Sequence, residues 1–407
     1  MLIFYIIMEY PTDLYLCADC AKDQLLSTYI KQTSTIKEKC SICKRQNTFI
    51  IRITNNPTLQ QIFKALIRYY FTENLYNHHF GGDSIEGLFN KENPILNHEI
   101  INGNSNEENL ETYDIIWPLI ETPYEDFDKG VSLFMGSEYG YFADTIPNSN
   151  SWILSDYIKK LQSINYFDLE EEAIQFFLPY KDRLLLNLKE KECLYRARIG
   201  VDSVYIKVVD IDEYPEIVYF PFVDKDISAP PPLMASAGRL NRKGVSFLYL
   251  SNSIKTAISE IKPHPGQIVS LATFKSKKEL LLIDLTTSKF EDFWLSDKDI
   301  NMFIFLKNLN NLFSIPIAPN ENSSTYSVTQ FFSNVFRLMN FDGAIYKSSV
   351  EEGDNFLFFN ADNFEYIESS SECKKICSLE YKFNDVNFEL EKSKEPYVQY
   401  FKKSINN

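Results

Sequence analysis

Apolar residues recur at intervals of three and four through Leu59, Ile62, Phe63, Leu66, Ile67 and Tyr70. That spacing predicts an amphipathic helix. Residues 155–161 and 169–177 repeat it, so the chain from about 59 to 188 reads as largely helical. The exception is 80–112, which is polar and rich in Asn, Gly and Glu, and reads as a long loop with at most one short helix. Residues 113–119 are apolar again, and no internal repeat is visible. Farther on, short apolar runs alternate with helical ones. Phe247-Leu248-Tyr249-Leu250 reads as a buried strand, with further strands at 269–274, 280–285, 344–347 and 356–359. Helices are expected over 290–312, ending before Pro316, and over 327–339. The fold class is therefore α+β. After Asn384 the tail is charged and is expected to fray or pack as a last short helix.

One stretch places three chemically distinct groups on a short path of turn, strand and helix. Arg239 follows Gly238, whose backbone is free to turn the guanidinium into a cleft. A planar guanidinium grips two phosphate oxygens at once, which a lysine ammonium does not. Tyr249, near the end of its strand, offers a ring face to a flat heterocycle. Ser251 is a fair N-cap for a helix over 253–261, whose core face is Ile254, Ala257, Ile258 and Ile261. Glu260 lies off that stripe, in the last turn before Pro263, where the helix dipole does not favour a carboxylate. Together these groups suit a dinucleotide such as NAD cleaved at its nicotinamide–ribose bond. His264, between two prolines, reads as a structural loop residue.

Four of the seven cysteines fall early, as Cys17-x-x-Cys20 and Cys40-x-x-Cys43. Each knuckle places two thiolates on one face of a tight turn, and the pair completes a tetrahedron. Four protein ligands leave no open position, so the zinc expected there is structural. Cys193 sits beside an apolar run and reads as core, whereas Cys373 and Cys377 read as plain thiols.

The chain has 407 residues and a formal net charge of −15. That length allows two or three domains. The acidic balance argues against general nucleic-acid or anionic-membrane binding, and it invites a basic protein partner. The apolar start, Met1 to Met8, is too short to span a bilayer and lacks the basic start of a signal peptide, so it is expected to be a strand or a packed tail. The expectation is a cytoplasmic protein. His78-His79 reads as a polar helix end rather than as a metal pair.

The Gly-Arg-Leu-Asn run at 238–241, Leu-Tyr-Leu-Ser at 248–251, Thr-Ala-x-x-Glu at 256–260 and Asp342-Gly343-Ala344-Ile345-Tyr346-Lys347-Ser348-Ser349 resemble the RES domain, as does Pro230-Pro231-Pro232. The resemblance covers roughly residues 194–366. It implies a mixed α/β fold similar to ADP-ribosyltransferases and an NAD-consuming activity of the NAD glycohydrolase or NAD phosphorylase kind, as in a toxin or defence effector held by an antitoxin. Transfer of ADP-ribose to a macromolecule, or nucleotide binding without turnover, are the alternatives. By the same resemblance Arg239, Tyr249, Glu260 and Ser348 would be catalytic: Arg239 on phosphate or ribose, Tyr249 on nicotinamide, Glu260 on the ribose and its transition state. Arg196, Asn241, Ser349 and Asn355 would face the dinucleotide, with Ser349 an alternative to Ser348 as the inward serine because Lys347 departs from the pattern. Tyr326-Ser327-Val328-Thr329-Gln330 resembles the family's Tyr-x-x-Thr-Gln helix start. The region around Cys17 to Leu26 also resembles the zinc-knuckle start that precedes such domains, followed by a HEPN-like helical domain. The HEPN nuclease pattern needs an arginine and a histidine four to six residues apart, and Arg68 and His78 are too far apart for it. The expected organisation is a zinc knuckle at 1–55, a helical HEPN-like domain at 56–190, a RES domain at 191–384 and a charged tail at 385–407.

Overall fold

The computed structural model describes residues 14–76, 82, 85–89, 91–97, 112–120, 135–136, 140–141, 144–208, 214–286, 289–315 and 326–380. The apolar start, the His78-His79 pair, most of the polar stretch at 80–112 and the charged tail lie outside them. The chain divides into two compact units. One holds residues 1–153 and 288–308, the other 154–287 and 309–407.

In the first unit a three-stranded antiparallel sheet runs in the order β1 (Tyr15–Cys17), β3 (Thr48–Arg52), β2 (Ile36–Glu38). The sequence pattern did not predict it, because these strands are three to five residues long. The helix α1 (Gln24–Thr33) starts on Asp23, whose side chain accepts from the Leu26 N–H at 3.1 Å. The helix α2 (Pro57–Tyr70) matches the three-and-four pattern and is capped by Asn56, with Pro57 in the first turn. It packs against α3 (Thr112–Ile120), and Gln60 donates to the Pro118 carbonyl at 2.7 Å. Arg68 is completely buried and its Nη1 lies 2.5 Å from Asp297 Oδ1. Burial in low dielectric lowers the Arg68 pKa, and Asp297 opposes that shift.

The second unit is built on a nine-stranded mixed sheet. Its strands are β4 (Leu185–Leu188), β5 (Cys193–Ile199), β8 (Leu248–Ser251), β9 (Ile268–Ser276), β10 (Leu280–Asp284), β11 (Gly343–Lys347), β12 (Asp354–Phe358), β13 (Phe364–Tyr366) and β14 (Glu372–Lys375). The order is β13-β9-β5-β8-β12-β11-β10-β4, with β14 also on β9. Only β10 and β11 pair in parallel, because the long helical connection between them returns the chain in the same direction. A separate ribbon is formed by β6 (Ser203–Lys207) and β7 (Glu216–Phe220), which the sequence pattern did not reveal.

Alternation along the strands gives the sheet two chemically different faces. One carries Leu194, Leu248, Leu250, Leu282, Phe356 and Phe358 and forms the main core. The other carries Ala197 and Leu271, against which α6 (Ile254–Glu260) packs through Ala257, Ile258 and Ile261. The cap of α6 is Ser253, whose hydroxyl accepts from the Thr256 N–H at 3.0 Å, not Ser251, which still belongs to β8. Ile254, expected on the core face, is 39% exposed because it opens the helix before the first full turn.

The helices α4 (Trp152–Ser163) and α5 (Phe167–Phe177) were expected in the helical domain. Residues from 154 onward cluster instead with the sheet-bearing unit. Tyr157 and Phe177 pack their rings on Phe332 of α8 (Ser327–Leu338) at centroid distances of 5.3 and 6.0 Å. Cys193, read as core, is exposed. It is the first residue of β5 and points away from its buried neighbour Leu194. Among the described residues no helix is long and apolar enough to cross a membrane.

Candidate active site

The strand register brings polar residues of three neighbouring strands together. Tyr195 of β5 lies opposite Ser251 of β8, Ser251 opposite Asn355 of β12, and Asn355 opposite Tyr346 of β11. Directly opposed residues share a face. These four therefore stand on the α6 side of the sheet, and they line a cleft together with Tyr249, Ala257, Glu260 and Ile261. The cavity volume is about 80 Å³. That is well below the roughly 300–1,000 Å³ of small-molecule sites.

Glu260 is held in the cleft through one of its oxygens. Its Oε1 accepts from Ser348 Oγ at 2.7 Å and from Asn355 Nδ2 at 2.6 Å. Asn355 is itself held, because the Ser251 hydroxyl donates to its Oδ1 at 2.9 Å. Ser251 and Asn355 are both buried. The relay Ser251–Asn355–Glu260 thus holds Oε1 of the carboxylate in place. It also offsets the unfavourable end of the α6 dipole with two donors.

Ser348 follows β11 directly, and its hydroxyl oxygen also accepts from the N–H groups of Val350 and Glu351 at 3.3 Å. The adjacent Ser349 is exposed, and neither serine is among the residues lining the cleft; the one whose hydroxyl reaches Glu260 is Ser348. The loop after Ser348 is tied to α6 through Thr256 Oγ1, which donates to the Glu352 carbonyl at 2.8 Å. Gly353, at φ +134°, admits no side chain, since a Cβ there would lie 2.4 Å from Thr256 Oγ1.

Tyr249 lines the cleft, and its hydroxyl donates to Asn241 Oδ1 at 2.7 Å. Burial raises its pKa, as it does that of Tyr346. Asn241 is buried, and its Nδ2 donates to the carbonyls of Ser236, Arg242 and Val245 at 2.9–3.2 Å. Its side chain thus organises the loop and the Tyr249 hydroxyl. Gly238 is needed here for close approach rather than for turning. It is absent from the positive-φ glycines, and a Cβ would sit 2.4 Å from Asn241 Oδ1. Arg239 is half-buried, and its Nη1 donates to the Phe313 carbonyl at 2.5 Å. That carbonyl is in the last turn of α7 (Asp297–Ser314), where a cation is favoured. Arg239 is not among the residues lining the cleft, but its charge acts on the hydroxyls of both Tyr249 and Tyr346.

Arg196 was expected to face the dinucleotide. It is among the residues lining the cleft, although strand alternation puts its side chain toward the face of Leu194, opposite that of Tyr195. Its Nε donates to the Ile227 carbonyl at 2.6 Å and its Nη1 to the Tyr249 carbonyl at 2.8 Å. Burial without a carboxylate partner lowers its pKa to about 10. It ties β5 to β8 at the floor of the cleft. His264 is exposed and is not among the lining residues.

Sequence reasoning missed Tyr195, Ser251 and Tyr346 as parts of this site. Their signal was present as polar or hydroxyl-bearing residues inside apolar strands, but only the register shows that they meet.

In the first unit the Sγ atoms of Cys17, Cys20, Cys40 and Cys43 all lie within 4.8 Å of one another, and all four residues are buried. The Cys17–Cys20, Cys17–Cys43 and Cys20–Cys40 separations are 3.5, 3.6 and 3.8 Å. A tetrahedron with metal–sulfur bonds of about 2.3 Å has edges of about 3.8 Å, so the thiols fit a closed four-sulfur site. Disulfide sulfurs would stand at about 2.05 Å, well inside these distances. Hydrogen bonds from Cys17 and Cys20 hold the Cys40 thiol well below its usual pKa, while Cys20 is pushed up. Lys44, just past the second knuckle, takes a left-handed backbone at φ 59° and donates its N–H to the Cys40 carbonyl at 3.1 Å.

No curated protein matches the chain. Among solved structures, a chain of the M. tuberculosis MbcT–MbcA toxin–antitoxin complex is similar over 50% of this chain and 92% of its own, at 11% identity and a TM-score of 0.28. The family model of the RES domain matches residues 215–383, the span that contains Arg239, Tyr249, Glu260, Ser348 and Asn355. Residues 215–383 are in this respect similar to the RES domain.

Proposed function

We propose that the sheet-bearing unit consumes NAD by cleaving its nicotinamide–ribose bond. The observation that carries the reading is the Glu260 carboxylate, fixed by Ser348 and Asn355 at the wall of a cleft faced by tyrosine rings. The match to the RES domain over residues 215–383 supports it. In this reading the nicotinamide ring lies against Tyr249 with the ribose beside Glu260. The C1′–N bond breaks with its electron pair leaving on nicotinamide, and the ribose passes through an oxocarbenium-like state. A pre-oriented carboxylate stabilises that positive charge without reorganising. Ser348, donating to Oε1, keeps the carboxylate in place, and Arg239 receives the diphosphate outside the cleft. The acceptor at C1′ is water or phosphate. Such an activity suits a toxin or defence effector, and the net charge of −15 suits a basic antitoxin as its restraint.

The four cysteines of the first unit are proposed to hold a structural zinc ion, which would supply folding energy to the β1–β3 module. Transfer of ADP-ribose to a macromolecule is the second reading of the same cleft. Incubating the purified protein with NAD, with and without phosphate, and identifying products by mass separates these outcomes. Free nicotinamide with ADP-ribose, or with ADP-ribose bearing phosphate on the carbon that held nicotinamide, supports the proposal. NAD recovered unchanged contradicts it.

A further inference from the structure

The first turn of α8 reaches the loop that carries Arg239. Gln330 Nε2 donates to the Gly238 carbonyl at 2.8 Å and to the Asn241 carbonyl at 3.0 Å. Thr329 Oγ1 donates to the Arg239 carbonyl at 2.5 Å, a shorter contact than its 3.1 Å approach to the Tyr326 carbonyl. Two adjacent side chains thus hold three carbonyls of one four-residue turn, which also closes on itself through the Gly238 N–H to the Asn241 carbonyl at 2.9 Å. From that turn the Arg239 guanidinium reaches out, and the Asn241 amide sets the Tyr249 hydroxyl. Thr329 is buried and α8 packs through Phe331, Phe332 and Phe336, so the clamp stands on a rigid base.

We propose that Gln330 and Thr329 are positioning residues of the cleft, fixing the 238–241 turn and through it Arg239 and Tyr249. Neither residue lines the cleft. For turnover this rests on the reading above, but the clamp itself does not. Removing Gln330's donors frees carbonyls that no other described side chain holds. The turn then samples positions in which Arg239 no longer meets a diphosphate. Displacement of a binding group by about an ångström costs up to about a hundred-fold. Because Arg239 is assigned to the diphosphate and Glu260 to the reacting ribose, KM should suffer more than kcat.

The test uses the full chain with Gln330→Glu, which keeps the shape and replaces the donors by acceptors, and with Thr329→Val and Thr329→Ser. Amide hydrogen exchange is followed in peptides covering 235–247 and, as a reference, β5 and β9. NAD turnover is measured in parallel. The proposal expects Gln330→Glu and Thr329→Val to speed exchange in 235–247 roughly ten-fold or more while the strands stay protected. It expects KM for NAD to rise more than kcat falls, with Thr329→Ser close to wild type. Unchanged exchange in 235–247 overturns the clamp, and so does acceleration spread equally over β5 and β9. A loosened turn with unchanged KM overturns the positioning role. If wild type leaves NAD intact, the functional reading fails while exchange still decides whether the clamp exists.

Discussion

Glu260 ends a seven-residue helix, where backbone carbonyls repel an anion, yet it receives two hydrogen bonds on one oxygen. Its partners are not interchangeable. Asn355 is buried and already committed to Ser251, so Asn355→Leu leaves both the Ser251 hydroxyl and the carboxylate without their shared partner. Loss of one such buried partner costs about 1–3 kcal/mol. The expected outcome is a lower melting temperature and a larger loss of turnover than with Ser349→Ala, which should leave NAD consumption within about two-fold of wild type, as surface substitutions away from a site generally do. Kinetics and melting curves of the two variants check this. Gly238 is a second sensitive point. Gly238→Ala forces a methyl to within 2.4 Å of Asn241 Oδ1 unless that amide moves off the Tyr249 hydroxyl. Overpacking of this kind costs about 1–3 kcal/mol. The variant should melt earlier and bind NAD more weakly, as read by calorimetry on a nonhydrolysed analogue.

At the scale of elements, the cysteine module and α6 make separate claims. The strands β1 to β3 are too short to hold a sheet alone, and the four buried thiols lie at tetrahedral spacing. Freshly purified protein should contain about one zinc per chain, and Cys17→Ser or Cys43→Ser should release it. Proteolysis should then cut first within 14–53. A metal assay finding none in protein never exposed to chelator removes the claim. In α6, Ser253→Ala deletes the cap and costs about 1 kcal/mol. Much of this level was legible in the sequence. The long helices at 57–70 and 327–338 follow their apolar spacing, and the cysteine knuckles announce themselves. The ribbon of β6 and β7 was not legible, because its apolar residues remain exposed, Ile206 by 71%, and exposure breaks the inward–outward pattern that sequence reading depends on. The faces of β5 were not legible for a related reason. Composition cannot say which face a strand residue takes, and Tyr195 and Arg196, one step apart, reach the cleft from opposite faces of the sheet.

At the scale of the whole molecule, the RES match begins at residue 215, but the sheet it belongs to begins with β4 at Leu185. Upstream of that, α4 and α5 cover the aromatic face of α8. A fragment starting at Leu194 would lose the edge strand on β10 and expose Phe332 and Phe336 to solvent. It should be poorly soluble and bind a hydrophobic dye, whereas the full chain should not. The proposed chemistry depends on Glu260 in its cleft. The most direct test is nicotinamide release from NAD by the purified wild type and by Glu260→Gln, with melting curves to show that both are folded. The variant keeps the size of the side chain and removes the charge. Wild type should release nicotinamide, and the variant should do so about a hundred- to thousand-fold more slowly at a similar melting temperature. A folded wild type that leaves NAD untouched, or a variant that keeps more than about a tenth of the rate when a loss of that size is required, contradicts the assignment.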